Sequence, residues 1–247
     1  MAELAASRYD AVVFDMDGVI TDTARTHAQA WKRMFDAYLQ ARGDAEAAPF
    51  DPFTDEDYRL FVDGKHRDDG VESFLASRGI QLARGGPADP PDQETVWGLA
   101  NRKDVDFQQV LSHEGAKVFP SSVVFVHELR SHGVSTAIVS ASKNARRVLD
   151  AAGIGELFPV RVDGIVSDEL ELPGKPSPAS FLEAARRLGA GPSRSVVVED
   201  AIAGVEAGRR GHFALVVGID RTGQADALKA AGADVVVADL AELQVVP

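Results

Sequence analysis

Short runs of β-branched and other apolar residues recur along this chain, and amphipathic stretches that close on glycine lie between them. The runs predict strands over Ala11–Asp15, Val134–Ser140, Arg161–Ile165, Ser195–Glu199, Ala214–Ile219 and Asp234–Val237. Helices are predicted over Ser121–His132, Lys143–Ala152, Pro178–Leu188, Ala201–Arg210 and Gln224–Ala231. Gly133, Gly153, Gly189, Gly211 and Gly232 follow them, each where a left-handed residue would end a helix. Ser177 before Pro178 suggests an N-cap followed by proline in the first turn. Strands alternating with helices in this way form parallel βα units, so the expected fold is α/β, a doubly wound (Rossmann-like) parallel sheet.

The rhythm breaks after the first strand, where roughly a hundred residues pass without a convincing strand, far more than a usual crossover. An inserted α-helical cap domain explains the gap. In its first helix His27, Trp31, Met34, Phe35, Tyr38 and Leu39 recur on one face. Further helices are expected over Thr54–Val62, Asp69–Arg78 and Glu94–Val110, with RGGPADPPD as a Pro/Gly-rich connector. The expected organisation is a core of residues 1–24 and 110–247 with a helical cap over 25–109.

Composition narrows the function. With 247 residues the chain can bury a large core, and at 45% hydrophobic and 26% charged it is ordinary for a globular protein. The formal net charge of −12 disfavours nucleic acid and anionic membranes as partners, so an anionic ligand must be held by local positive charge. There is no cysteine, which excludes disulfides, thiolate metal sites and cysteine nucleophiles, and the six histidines are scattered. The start, MAELAASRYD, has too short an apolar part for a signal peptide, and no apolar run approaches a membrane span. A cytoplasmic monomer is expected.

Ligands of open parallel sheets bind beyond the carboxyl ends of the strands, and that is where the chain places its acids. Asp15 and Asp17 follow the first predicted strand, Ser140 the second, and Glu199 and Asp200 end SVVVED, while Lys175 enters from ELPGKPSP. Carboxylates without a soft ligand suit a hard dication such as Mg²⁺. A lysine and a hydroxyl beside it would hold phosphoryl oxygens. Taken singly, Asp200 or Ser140 could be a cap residue and Lys175 a solvated lysine; their conjunction in chain order, each ending a different βα unit, carries the argument.

In order, DMDGVITDT, SAS, GKPSP and EDAIAGVEAG resemble the four motifs of the haloacid dehalogenase superfamily of phosphoryl-transfer enzymes. Within it, FDMDGVITDTARTHAQAWK, VSASKN and VDGKHRDDGVESFL resemble the β-phosphoglucomutase-like family, which interconverts β-glucose 1-phosphate and glucose 6-phosphate. The resemblance implies Asp15 as nucleophile, Asp17 as general acid and base, and Ser140, Ala141 and Lys175 as the phosphoryl cradle. It implies Mg²⁺ held by Asp15, the Asp17 carbonyl, Glu199 and Asp200. It further implies substrate or phosphate contacts at Thr23, His27, Trp31, Gly64, Lys65, Arg67, Lys103, Ser142, Lys143 and Asn144, with a small-molecule sugar phosphate as partner. Spacing alone gives His27 and Trp31 a packing role, and Lys65 and Lys103 a solvated one.

Three positions depart from the family pattern: Asp63 stands where a lysine precedes the cap glycine, Gly70 replaces a small hydroxyl residue, and Asp104 replaces an asparagine. They bear on the substrate and leave Asp15 untouched. Two rivals stand beside the mutase reading. One is a sugar-phosphate phosphatase on the same scaffold; the other is a phosphorylatable signalling receiver, which would lack a cap and carry its phosphoacceptor on a middle strand.

Overall fold

A computed structural model of the protein describes residues 2–47 and 49–247. The chain forms two compact units, Met1–Asp22 with Ala116–Pro247, and Thr23–Gly115.

The first unit contains strands β1 (Ala2–Ala5), β2 (Ala11–Asp15), β3 (Ser135–Val139), β4 (Val160–Val162), β5 (Ser195–Glu199), β6 (Leu215–Ile219), β7 (Val235–Val237) and β8 (Leu243–Val246). A 6-stranded sheet runs in the order β4-β3-β2-β5-β6-β7 with every pair parallel. Every residue of β2 and of β5 is buried, the signature of a parallel strand covered on both faces. Chain order reverses beside β2: β3 lies on one side of it and β5 on the other, which makes the carboxyl ends of β2 and β5 the switch point where ligands bind. The register pairs Phe14 with Val198, so the next residues, Asp15 and Glu199, end their strands side by side.

The covering helices run Pro120–Ser131, Ala145–Ala152, Gly164–Glu169, Ala179–Arg187, Ile202–Arg210 and Ala225–Ala231. One core cluster holds Val13, Ala137, Val139, Phe181, Val197, Val205 and Val216, and Phe14 meets Phe125 and Phe158 edge-on at 6.3 and 6.1 Å.

Several sequence expectations are corrected here. The strand expected over Arg161–Ile165 stops at Val162, because the Asp163 carboxylate accepts from Ile165 N (3.1 Å) and Val166 N (3.0 Å) and starts a helix. Gly133, Gly153, Gly189 and Gly232 have positive φ as expected, whereas Gly211 sits at φ −76° and His212 takes the left-handed turn at 55°. Gly211 is small for another reason: a Cβ there would lie 2.7 Å from the Phe213 ring. The Pro178 helix begins at Ala179, with Ser177 Oγ accepting only a 3.4 Å contact from Ala179 N. Strands β1 and β8, unanticipated, form a separate 2-stranded parallel sheet with Ala2 opposite Leu243.

The second unit is helical: α1 (Ala24–Glu46), α2 (Asp55–Asp57), α3 (Arg67–Ser77) and α4 (Val96–Glu114). The apolar stripe of α1 does pack inward, with Trp31, Met34, Phe35, Tyr38 and Leu39 buried against Phe53, Val71, Phe74 and Leu99. The helix expected over Thr54–Val62 is a short α2, opened by a Thr54–Asp57 capping box and followed by a π-helical turn over Tyr58–Val62. Helix α3 starts earlier than expected and carries Arg67. Helix α4, capped by Thr95 Oγ1 accepting from Gly98 N at 3.0 Å, runs past residue 110 to Glu114. No helix among the described residues is long and apolar enough to cross a membrane.

Candidate active site

The acids come together at the switch point. Strand β2 delivers Asp15, and the chain turns at once: Ile20 N and Thr21 N both donate to Met16 O (2.9 Å each), and Gly18 N donates to Thr21 O (2.7 Å). This tight turn carries Asp17. Strand β5 delivers Glu199, fully buried, whose Oε2 accepts from Ala201 N at 2.7 Å. Lys175, also buried, donates from Nζ to both Asp15 Oδ1 and Glu199 Oε1 and so bridges the two strand ends. Beyond β3, Ser140 Oγ donates to Asp17 Oδ2 at 3.1 Å and accepts from Ser142 N at 3.1 Å. Two hydrogen-bonded groups result, Asp15–Lys175–Glu199 and Asp17–Ser140, and the Met16 turn sets them side by side in sequence.

Asp200 completes the group. Ligand oxygens of Asp15, Glu199 and Asp200 lie within 4.8 Å of one another. Three carboxylates against the single Lys175 ammonium leave two negative charges, and the donors are all oxygen, so the residues fit a hard divalent ion. Two glycines make this crowding possible. A Cβ on Gly18 would lie 1.8 Å from Asp200 Oδ2, and one on Gly204 would lie 1.7 Å from Glu199 Oε1. Both stand inside the motifs quoted above, yet sequence reasoning passed over them because a glycine's role in admitting a neighbour's carboxylate has no periodic signal.

Burial raises the Asp15 carboxyl well above the ordinary carboxylate value, with Glu199 and Asp17 adding to the effect and Lys175 opposing it. For Lys175 burial works against the ammonium, but Asp15 and Glu199 outweigh it and hold it above the ordinary lysine value. The lysine is therefore a fixed positive charge at the carboxyl end of β2.

The remaining core positions sit on the loop after β3. Ala141 is half-buried, and its carbonyl lies 2.7 Å from where a Cβ on Gly164 would be. Ser142 Oγ accepts from Asn144 N at 3.1 Å, Asn144 is buried, and Lys143 pairs with Asp168. The helix begins at Ala145, so Lys143 and Asn144 precede it instead of lying in it.

In the helical unit, His27, Trp31 and Lys103 form one cluster. Lys103 is only 5% exposed, its Nζ 2.6 Å from His27 Nδ1 and about equally far from the Trp31 (5.1 Å) and Phe107 (5.0 Å) ring centres. His27 stacks on Phe107 at 4.0 Å. Facing an ammonium, Nδ1 accepts and the ring proton is assigned to Nε2. The solvated-lysine reading of Lys103 is wrong, and Phe107 was missed: cation–π contact with two rings holds the ammonium among aromatics. Thr23, buried, accepts at its carbonyl from His27 N (2.9 Å).

Gly64 takes φ 70°. Lys65 Nζ donates to Ser73 Oγ at 2.9 Å, and burial lowers its pKa against the opposing pull of Asp69. Arg67 is held by Asp104 (Nη1–Oδ1 3.0 Å) and Asn101 (Nη2–Oδ1 3.0 Å). The family-divergent Asp104 is thus the partner of Arg67. Gly70 is explained by Trp31, whose Cη2 would lie 3.2 Å from an added Cβ.

The family model described as haloacid dehalogenase-like hydrolase matches residues 9–212. The chain is 50% identical over 237 residues to a β-phosphoglucomutase of Mycobacterium bovis, covering 94% of this chain and 90% of that protein. The chain belongs to the β-phosphoglucomutase-like family of the haloacid dehalogenase superfamily. A β-phosphoglucomutase of Bacillus subtilis, another member, is 31% identical over 84% of this chain and 83% of that protein. The family fold is also that of the crystal structure of a Clostridium difficile β-phosphoglucomutase, with TM-score 0.76 at 24% identity, covering 96% of this chain and 93% of that one. Like other members, the chain is a phosphoryl-transfer enzyme.

Proposed function

We propose that the protein is a Mg²⁺-dependent β-phosphoglucomutase, converting β-glucose 1-phosphate to glucose 6-phosphate through a phosphorylated Asp15 and a glucose bisphosphate. The observation that carries the reading is the buried Lys175 bridge between Asp15 and Glu199, in a chain that matches a β-phosphoglucomutase along nearly its whole length. A carboxylate meets repulsion when it attacks a phosphoryl group, and Lys175 supplies the fixed opposing charge. Bound by Asp15, Glu199, Asp200 and the Asp17 carbonyl, Mg²⁺ would neutralise further phosphoryl charge.

The steps then follow from the residues. An Asp15 carboxylate oxygen attacks the phosphorus of the bisphosphate; the bond to the sugar oxygen breaks, and Asp17 gives that oxygen its proton. In the second half Asp17, now a carboxylate, takes the proton of the acceptor hydroxyl as that oxygen attacks phospho-Asp15. The Ser140 hydrogen bond fixes Asp17 for both tasks. Ser140, Ala141 and Lys175 cradle the transferred group. In the helical unit, proposed as the cap, Lys65, Arg67 and Lys103 with Asn144 of the core serve the second phosphate and the sugar, alongside Thr23, His27, Trp31, Gly64, Ser142 and Lys143.

A mutase must favour a bound hydroxyl over bulk water, and orientation can supply effective molarities of about 10⁵–10⁸ M. The match to β-phosphoglucomutases along nearly the whole chain supports this over simple hydrolysis. The test supplies β-glucose 1-phosphate and catalytic β-glucose 1,6-bisphosphate and follows glucose 6-phosphate and free phosphate together. Glucose 6-phosphate should form much faster. If phosphate is the faster product with every hexose phosphate, the enzyme is a phosphatase.

A further inference from the structure

We infer that Arg221, with Gln224, is a positioning device for the turn that carries Asp17 and for Asp200; the inference rests on the phosphoryl-transfer reading above. Both residues lie on the loop after β6, outside the four motifs. Arg221 Nε donates to Gly18 O at 3.0 Å, and Gln224 Nε2 donates to Asp200 O at 3.2 Å. One loop thus holds the backbone carbonyls of two neighbouring segments that the acid cluster needs in register. That register is tight, since Asp200 Oδ2 lies 1.8 Å from where a Gly18 Cβ would be.

Arg221 is itself immobilised. Its guanidinium lies over the Phe119 ring at 3.8 Å, and Nη1 donates to Ala238 O (3.1 Å) and Asp239 Oδ2 (3.0 Å). Asp239 in turn accepts from Ala241 N at 2.9 Å, so the brace is anchored in the segment leading to β8. The loop also holds its own shape, with Asp220 Oδ1 accepting from Thr222 N (3.2 Å) and Gln224 N (2.7 Å). An arginine used only to cap the C-terminal segment would need Asp239 and Ala238; the Gly18 bond is the one directed at the catalytic turn. Arg221 contacts no reacting group in this arrangement and acts through Gly18, and Gln224 acts through Asp200.

The test compares R221A, R221K and Q224A with the wild-type full chain. Hydrogen exchange of residues 16–21 is measured in the resting protein, where Gly18 N, Ile20 N and Thr21 N are the reporting amides. R221A should speed exchange in this turn and leave β5 and β6 protected. Its kcat should fall on the order of ten- to a hundredfold, the scale of a small misplacement of catalytic groups, with KM for β-glucose 1-phosphate unchanged. Phosphorylation of Asp15 by acetyl phosphate should slow in parallel, because that step uses the same turn. Free guanidinium should restore part of the R221A rate, and R221K should retain more activity than R221A; Q224A should raise the Mg²⁺ concentration needed for half-maximal rate.

Wild-type kcat with unchanged turn exchange in R221A would overturn the proposal. So would faster exchange spread evenly over the unit with a lowered Tm and no guanidinium rescue, which marks general destabilisation. If the wild type phosphorylates Asp15 but isomerises no sugar phosphate, the mutase reading fails, while the exchange and acetyl phosphate arms still judge Arg221.

Discussion

Gly204→Ala is the most informative single change, because helix chemistry and site chemistry predict opposite signs. Gly204 lies inside the helix Ile202–Arg210, where alanine should stabilise by about 1 kcal/mol. The structure argues the reverse. A Cβ there would lie 1.7 Å from Glu199 Oε1, 2.0 Å from Cδ and 2.6 Å from Cγ, contacts no pair of atoms can hold. Glu199 is fully buried and has little room to retreat. Overpacking costs about 1–3 kcal/mol. Moving Oε1 off the Lys175 ammonium, or Oε2 off Ala201 N, removes a charge-assisted hydrogen bond of about 1.5–3 kcal/mol. Less the helix gain, the net is about 1.5–5 kcal/mol destabilising. Urea denaturation should show this as a lower midpoint, and phosphoryl transfer should fall and require more Mg²⁺. A variant as stable as wild type or more so, with normal turnover, would refute the claim that Gly204 exists to admit Glu199.

Two further predictions follow from the same site, and a third from the loop after β6. Asp15→Asn keeps the side-chain size and removes the nucleophile, so mass spectrometry after exposure to acetyl phosphate should find no phosphoryl adduct on a folded protein, and normal turnover would displace Asp15 from its role. Excess chelator should abolish turnover, and Asp200→Ala should raise the Mg²⁺ requirement sharply, since an oxygen-donor site loses an anionic ligand; full activity in chelator would refute both. Burial would raise the Asp220 pKa, but the N–H groups of Gln224, Gly223, Thr222 and Ala225 outweigh it and hold it below the ordinary 3.8. The stability it contributes is therefore present above that value and lost as pH falls through the lower folded value, so Asp220→Ala should flatten the acid limb of stability against pH in urea titrations.

The legible part of this protein was the part with strong local patterns. Runs such as Val12–Phe14 and Val196–Val198 are apolar throughout because both faces of the sheet are covered, and the acids at their ends stand out against them. Strands β1 and β8 escaped because they are short and pair only across the full length of the chain. The end of β4 was misjudged because the cap at Asp163 competes with the apolar residues after it. Lys103 looked like a surface lysine since nothing local reveals that two aromatic rings from α1 and α4 close over it. Arg221 was invisible for a related reason: its partners, Gly18, Phe119 and the adjacent pair Ala238 and Asp239, come from three separate stretches of sequence.

The junction at Asp22 and Lys117 has a bearing on how this protein is assembled from parts. Asp22 N donates to Lys117 O at 2.9 Å, and Thr21 forms an antiparallel bridge with Val118. The chain therefore leaves the sheet-bearing unit and returns to it through a two-stranded neck. Seen from that unit, the whole of Thr23–Gly115 is the loop of a hairpin whose stem is already closed. Closure entropy grows only logarithmically with loop length, so the stem tolerates a long insertion nearly as well as a short one. A module attached in this way can be exchanged, enlarged or pared back while the phosphorylating carboxylate stays on its strand, which makes the neck a natural seam for grafting other recognition units onto the same chemistry.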